Sequence, residues 1–108
     1  MALSHEPVMV PEVLHLLAPA RGGLFVDCTV GLGGHGRALL EAGASRLIGL
    51  DRDQTALAVA AETLAAFRTH VELVHADYRD LDRVLDERRI AGVDGALADF
   101  GVSSMQLD

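Results

Sequence analysis

The stretch LFVDCTVGLGGHGRALLEAGASRLIGLDRD, residues 24–53, decides the fold. Leu24 to Asp27 is a short apolar run that ends in an acid, the pattern of a buried strand. A glycine-rich turn, GLGGHG, follows it and leads into a helical stretch from Arg37 to Ala42, with Gly43 placed as the C-cap. A second apolar strand, Arg46 to Leu50, then ends at Asp51. Strand, glycine turn, helix and strand in this order read as one βαβ unit, a pattern that implies parallel strands.

Reading outward, the same form repeats downstream. Asp53 is placed to cap a helix whose apolar stripe is Leu57, Ala60, Ala61 and Leu64. Val71 to Ala76 reads as a third strand, Leu81, Val84 and Leu85 as a shorter helix, and Gly95 to Asp99 as a fourth strand. Upstream, Pro11 begins a short helix with Val10, Val13, Leu14 and Leu17 on one face, and Pro19 with Gly22 and Gly23 ends it. The expected fold class is α/β and Rossmann-like, a parallel sheet with flanking helices and a ligand crevice at the carboxyl ends of the strands. FGVSSMQLD follows the fourth strand with no further element after it, so the reading expects a domain truncated at that point.

Composition bounds the function. The chain has 108 residues, 50% of them hydrophobic, enough for one compact domain with a real core. Cys28 is the single cysteine, so no internal disulfide can form, and a cytoplasmic setting is the simplest one consistent with that. Charges interrupt every apolar run before it reaches membrane-spanning length, and no membrane partner is expected. Nine arginines, with no lysine, stand against sixteen acids for a formal charge of -7, the wrong sign for gripping nucleic acid by its phosphates. Arg79, Arg83, Arg88 and Arg89 fall close together, but Asp80, Asp82, Asp86 and Glu87 are interleaved with them, as on a solvated helix face. His15, His70 and His75 have no metal-ligand spacing, and no metal site is expected.

The informative residues lie at strand ends. Gly31, Gly33 and Gly36 match G-x-G-x-x-G after a strand, and Asp51 stands twenty residues on, where an acid can accept both hydroxyl protons of an adenosine ribose. These two features fit a nicotinamide dinucleotide and S-adenosylmethionine equally well. Asp27, ahead of the glycines, favours the second, because an acid there attracts a cationic amine and repels a pyrophosphate. Asp77 and Tyr78 follow the third strand, where a carboxylate can accept from an adenine amino group and an aromatic ring can pack on the base. An ordinary N-cap beside a half-buried tyrosine explains the pair as well. Asp99 opens DFGVSSMQLD, a polar segment of small residues where methyl group and acceptor should meet.

HEPVMVPEVL, VDCTVGLGGHGRALL, GLDRD and ADFGVSSMQLD, in that order from His5 to Asp108, resemble the successive signatures of the ribosomal RNA small subunit methyltransferase H family, the bacterial cytosine-N4 methyltransferases of 16S ribosomal RNA. The resemblance implies S-adenosylmethionine as cofactor. It implies cofactor contacts at Gly33, Gly34 and His35 in the turn, at Asp51, at Tyr78, and at Asp99 and Gln106. Residues 1–108 would then be the N-terminal part of a single methyltransferase domain, without the later strands and inserted helical domain of the family. The implied partner is small-subunit ribosomal RNA, held weakly if at all by this segment alone, and a homodimer is left open.

The implied reaction is direct displacement, with the exocyclic amine of cytidine attacking the sulfonium methyl while the enzyme aligns and desolvates. No protein nucleophile is required, and Cys28 reads as a small packed residue. No catalytic residue is assigned, and His5 and His35 are given no chemical role through their imidazoles. Two alternatives stand beside this reading: an NAD-dependent oxidoreductase fragment, resting on G-x-G-x-x-G and Asp51, and a non-catalytic remnant acting as an interaction module.

Overall fold

The computed structural model of the chain describes residues 22–28, 30–31, 33–98 and 101–103. The helix expected around Pro11, and the site positions Asp99 and Gln106, lie outside the described residues. Among these residues five strands form one sheet: β1 (Leu24–Asp27), β2 (Arg46–Asp51), β3 (Val71–His75), β4 (Gly95–Ala98) and β5 (Gly101–Ser103), in the spatial order β3-β2-β1-β4-β5. The first four are mutually parallel where they pair, with Asp27 opposite Gly49, Asp51 opposite His75, and Phe25 opposite Gly95. The chain runs outward from β1 to β3, then returns to place β4 on the other side of β1. That reversal is the switch point beside which such sheets bind ligands.

Among the described residues, three α-helices connect the strands: α1 (Gly34–Glu41), α2 (Gln54–Thr63) and α3 (Leu81–Glu87). The side-chain alternation of β2 divides the core in two. Leu47 joins Phe25, Leu39, Leu40, Ala60 and Leu64 on the α1 and α2 face. Ile48 and Leu50 join Val26, Val84, Leu85 and Val93 on the α3 face. Leu47, Ile48 and Leu50 are all fully buried, each stabilising the fold by about 1.5–3 kcal/mol relative to exposure. Both faces of β2 are therefore covered, which is why RLIGL reads as a continuous apolar run instead of an alternating one.

Several boundaries differ from the sequence reading. Helix α1 begins at Gly34, so the last three residues of the glycine turn form its first turn. Gly36 is accepted there because its bare face lies against Leu47, whose Cδ2 would be 2.7 Å from an added Cβ. Its C-terminus closes with paired bonds, Gly43 N–H to Leu40 O at 3.1 Å and Ala44 N–H to Leu39 O at 3.0 Å, as expected of a glycine-capped end. Ala61 is exposed, so the buried stripe of α2 is narrower than expected. A 3-10 segment, Ala65–His70, precedes β3 and has no apolar period by which to anticipate it. The fourth strand is not the last. β5 folds back antiparallel on β4, with Ala98 opposite Gly101, and three residues of GVS extend an edge that the sequence reading left bare.

Charged pairs tie the helices to the sheet. Arg88, just beyond α3, donates from Nε and Nη2 to Glu72 Oε2 on β3 at 2.9 and 2.7 Å and from Nη1 to the Val84 carbonyl at 3.0 Å. The Arg88 hydrogen bond holds the Glu72 carboxyl below its usual range. At the start of β1, Leu24 N–H donates to Asp94 Oδ2 at 2.8 Å and Asp94 N–H to Leu24 O at 2.8 Å, which fixes the register of β1 and β4.

Candidate cofactor site

The site is built where β1, β2 and β3 end. Val30 N–H donates to the Leu50 carbonyl at 2.7 Å, and one residue later Gly31 N–H donates to Asp51 Oδ2 at 2.9 Å. The other Asp51 oxygen, Oδ1, accepts from Asp53 N–H at 2.9 Å. Both carboxylate oxygens are thus oriented by backbone donors, and a carboxylate offers about two acceptor positions on each oxygen. Among the described residues one lobe per oxygen remains, the number a vicinal diol requires. The half-buried Asp51 side chain therefore fits the ribose-binding role while also holding the glycine turn in place.

Gly33 is explained differently from the sequence reading. It is the residue before α1, with φ +89°, and an added Cβ would lie 3.3 Å from Thr63 Cβ and 3.4 Å from Ala60 Cα. Its bare face is turned to α2, so helix packing and a left-handed backbone account for the glycine there. Gly34 and His35 form the first turn of α1, which has no side-chain cap and no acid among its first residues. The N–H groups of a helix's first turn have no intrahelical acceptor, so this end suits an anionic group such as a carboxylate.

Asp27 is 1% exposed at the end of β1. Next to it, burial pushes the Cys28 thiol up to about 11, and the charge of Asp27 adds to the effect. That thiol is held in its protonated form, the opposite of an activated nucleophile. Beyond β3, Ala76 N–H donates to the Asp51 carbonyl at 3.1 Å, bringing Asp77 and Tyr78 to the same edge as the turn. His75 bridges the loop after β2, with Nε2 2.9 Å from the Arg52 carbonyl and Nδ1 3.2 Å from Gln54 Nε2. Only the Nε2–H tautomer satisfies the first contact.

Asp77 serves as an N-cap. It accepts from Arg79 N–H at 3.1 Å in a capping box completed by Asp80, and from Arg79 Nη2 at 3.1 Å, with Arg52 Nη1 at 3.8 Å. The Arg79 side chain and backbone donors hold its carboxyl below the usual carboxylate range. Tyr78 is 46% exposed, a large ring left on the surface of this edge. The glycine turn, Asp51, Arg52, Asp77 and Tyr78 are therefore linked without a break, whereas Asp99 and Gln106 lie outside the described residues.

The model of the MraW methylase family matches residues 2–108. This chain belongs to the MraW methylase family. It is 55% identical over 104 residues to the ribosomal RNA small subunit methyltransferase H of Anaeromyxobacter dehalogenans, covering 96% of this chain and 33% of that protein. It is 52% identical over 111 residues to the protein of the same name from Thermobifida fusca, covering 99% and 34%. The chain thus spans about a third of the length of these relatives of the family.

Solved structures share the fold of this MraW family chain. The O-methyltransferase TomG of Streptomyces achromogenes, solved in complex with S-adenosylmethionine, superimposes with TM-score 0.72 at 24% identity, over 89% of this chain and 46% of that one. An rRNA methylase from Streptococcus thermophilus gives 0.67 at 18% identity, over 88% and 52%. Membership of a methylase family sets aside the oxidoreductase alternative. Sequence reasoning gave no place to Gly49, a lone glycine inside an apolar strand, where an added Cβ would lie 2.9 Å from Val30 Cγ2.

Proposed function

We propose that this chain carries the methyl-donor half of a methyltransferase that uses S-adenosylmethionine to modify the N4 amine of a cytidine in small-subunit ribosomal RNA, in the cytoplasm. The observation that carries the reading is the Gly31–Asp51 bond, which fixes a two-oxygen acceptor beside a glycine turn at the switch point of a parallel sheet. The cofactor, when bound, supplies an electrophilic methyl group on a sulfonium sulfur. Asp51 would hold the ribose hydroxyls, the Gly34 and His35 amides at the start of α1 a carboxylate, and the Tyr78 ring one face of the adenine.

The choice of ribosomal RNA rests on the names of the relatives, and the choice of cytidine N4 on the motifs quoted from the sequence. Asp99 and Gln106 are proposed as further cofactor contacts on the same motifs. The reaction asks for alignment and exclusion of water, and the protonated Cys28 is consistent with a route that needs no thiolate. Calorimetric titration with S-adenosylmethionine, S-adenosylhomocysteine and NAD tests the cofactor. Binding of the first two and not the third is expected, and NAD binding alone would refute the reading. Incubation with radiolabelled methyl donor and unmodified small subunits, followed by nucleoside analysis, tests the acceptor. Label expected from a full-length relative is N4-methylcytidine. The 108-residue chain, at charge -7, is expected to bind donor and to transfer no methyl.

A further inference from the structure

Residues 49, 50 and 51 of β2 each hold one part of the glycine turn. Leu50 offers its carbonyl to Val30 N–H at 2.7 Å, and Asp51 its carboxylate to Gly31 N–H at 2.9 Å. Gly49 offers a gap. An added Cβ at Gly49 would lie 2.9 Å from Val30 Cγ2, 3.1 Å from Val30 Cβ and 3.0 Å from Leu73 Cδ2. Val30 is buried and belongs to the same apolar cluster as Leu47 and Leu39, so its side chain occupies the slot that the missing side chain of residue 49 leaves open. We propose that the seating of Val30 over Gly49 is a positioning device for the cofactor site, setting the height of the glycine turn above β2 and thereby the Gly31–Asp51 bond.

The distances say why so small a change should be felt. A methyl group at residue 49 would have to push Val30 from 2.9 Å to the 3.4 Å at which ordinary contact begins, a lift of about 0.5 Å. Gly31 is the next residue, and its bond to Asp51 is already 2.9 Å long. Passed on in full to the Gly31 backbone, that lift would carry the bond beyond the useful N–H···O range of about 2.7–3.2 Å. Asp51 then loses one of the two donors that orient its carboxylate, and the amides at the start of α1 move with the turn. Interiors this densely packed do not absorb such a shift locally. Val30 and Gly49 touch no cofactor in this account. They act through Gly31 and Asp51.

This inference rests on the reading of the turn and Asp51 as the cofactor site, and the test separates the two. The 108-residue chain and its Gly49→Ala, Val30→Ala, Gly49→Ala/Val30→Ala and Val84→Ala variants are titrated with S-adenosylhomocysteine, and their thermal midpoints are recorded. Val84 lies in the cluster on the α3 face and serves as a control for stability alone. Gly49→Ala is expected to weaken binding about tenfold. The double variant should bind more tightly than Gly49→Ala, because the closest clashing atom, Val30 Cγ2, is removed, and Val84→Ala should melt earlier with affinity unchanged. A folded Gly49→Ala variant with the parent's affinity overturns the inference and leaves the cofactor reading standing. An affinity loss in Val84→Ala that matches its loss of stability overturns it as well. If Gly49→Ala does not fold, Val30→Ala decides: weaker binding supports the seat, and unchanged binding refutes it. A parent chain that binds no S-adenosylhomocysteine removes the cofactor reading and the inference with it.

Discussion

The Gly31 N–H and the Asp51 carboxylate, twenty residues apart in sequence, meet in a 2.9 Å hydrogen bond that joins the glycine turn to the end of β2. The acid is therefore part of the turn's support as well as a candidate ligand contact. Asp51→Ala should weaken S-adenosylmethionine and S-adenosylhomocysteine alike, by about 1–3 kcal/mol, since the ribose is common to both. Calorimetry with the two ligands measures this. A folded variant with unchanged affinity would remove Asp51 from the site.

Gly33 separates packing from ligand approach. An L-residue at φ +89° is strained by about 1–2 kcal/mol, and its Cβ would also press on Thr63. Gly33→Ala should lower stability by about that amount, and Gly33→Val by more, because a β-branched side chain is worse in the left-handed region. Chemical denaturation followed by circular dichroism gives both values. Parent-like stability in Gly33→Ala would show that the close approach to α2 is not the reason for the glycine.

How far the sequence alone reached can be read from these residues. LFVD and RLIGL announced β1 and β2 because both strands are covered on two faces, and Asp53 announced its cap, since it does accept from Thr55 N–H at 2.9 Å. Gly34, His35 and Gly36 are poor helix formers, so local propensity pointed to a turn where contact with Leu47 makes a helix. GVS is too short to show alternation, and β5 was missed for that reason. Asp51 was legible through its spacing from the glycines. Its bond to Gly31 and the slot at Gly49 were not, because each depends on two segments brought together only by the sheet. Asp77 was evenly balanced in sequence, and the capping box resolves its local role.

Cys28 gives a prediction in pH. Its folded thiol is raised from about 9 to about 11, chiefly by burial, so the folded chain retains a proton there that the unfolded chain releases. The corresponding stability is fully present below pH 9 and is lost as pH rises through 11. Cys28→Ala should flatten this alkaline loss in thermal melts recorded between those limits, while leaving cofactor affinity unchanged. In the parent, a thiol reagent at neutral pH should label Cys28 only after unfolding. Rapid labelling of the native chain would contradict the buried, protonated thiol.

Tyr78 and Asp77 are neighbours in sequence, yet the structure gives them different work. The Asp77 carboxylate accepts from the Arg79 backbone and guanidinium, both at 3.1 Å, and is occupied with capping. The Tyr78 ring, 46% exposed at the ligand edge of the sheet, presents apolar surface that nothing in a capping role requires. A base stacked on such a ring gains about 0.5–1.5 kcal/mol beyond simple burial. Tyr78→Ala should therefore weaken S-adenosylhomocysteine by about that amount, whereas Tyr78→Phe, which keeps the ring, should stay near the parent. Both variants leave the two apolar clusters intact, because the side chain belongs to neither. Asp77→Ala should show the opposite pattern, losing about 0.5–2 kcal/mol of stability with the cap and affecting affinity only as far as the loop shifts. Paired melting curves and titrations distinguish the two. Equal affinity for the Ala and Phe variants at Tyr78 would take the ring out of the cofactor site and leave Asp51 and the glycine turn to hold the ligand.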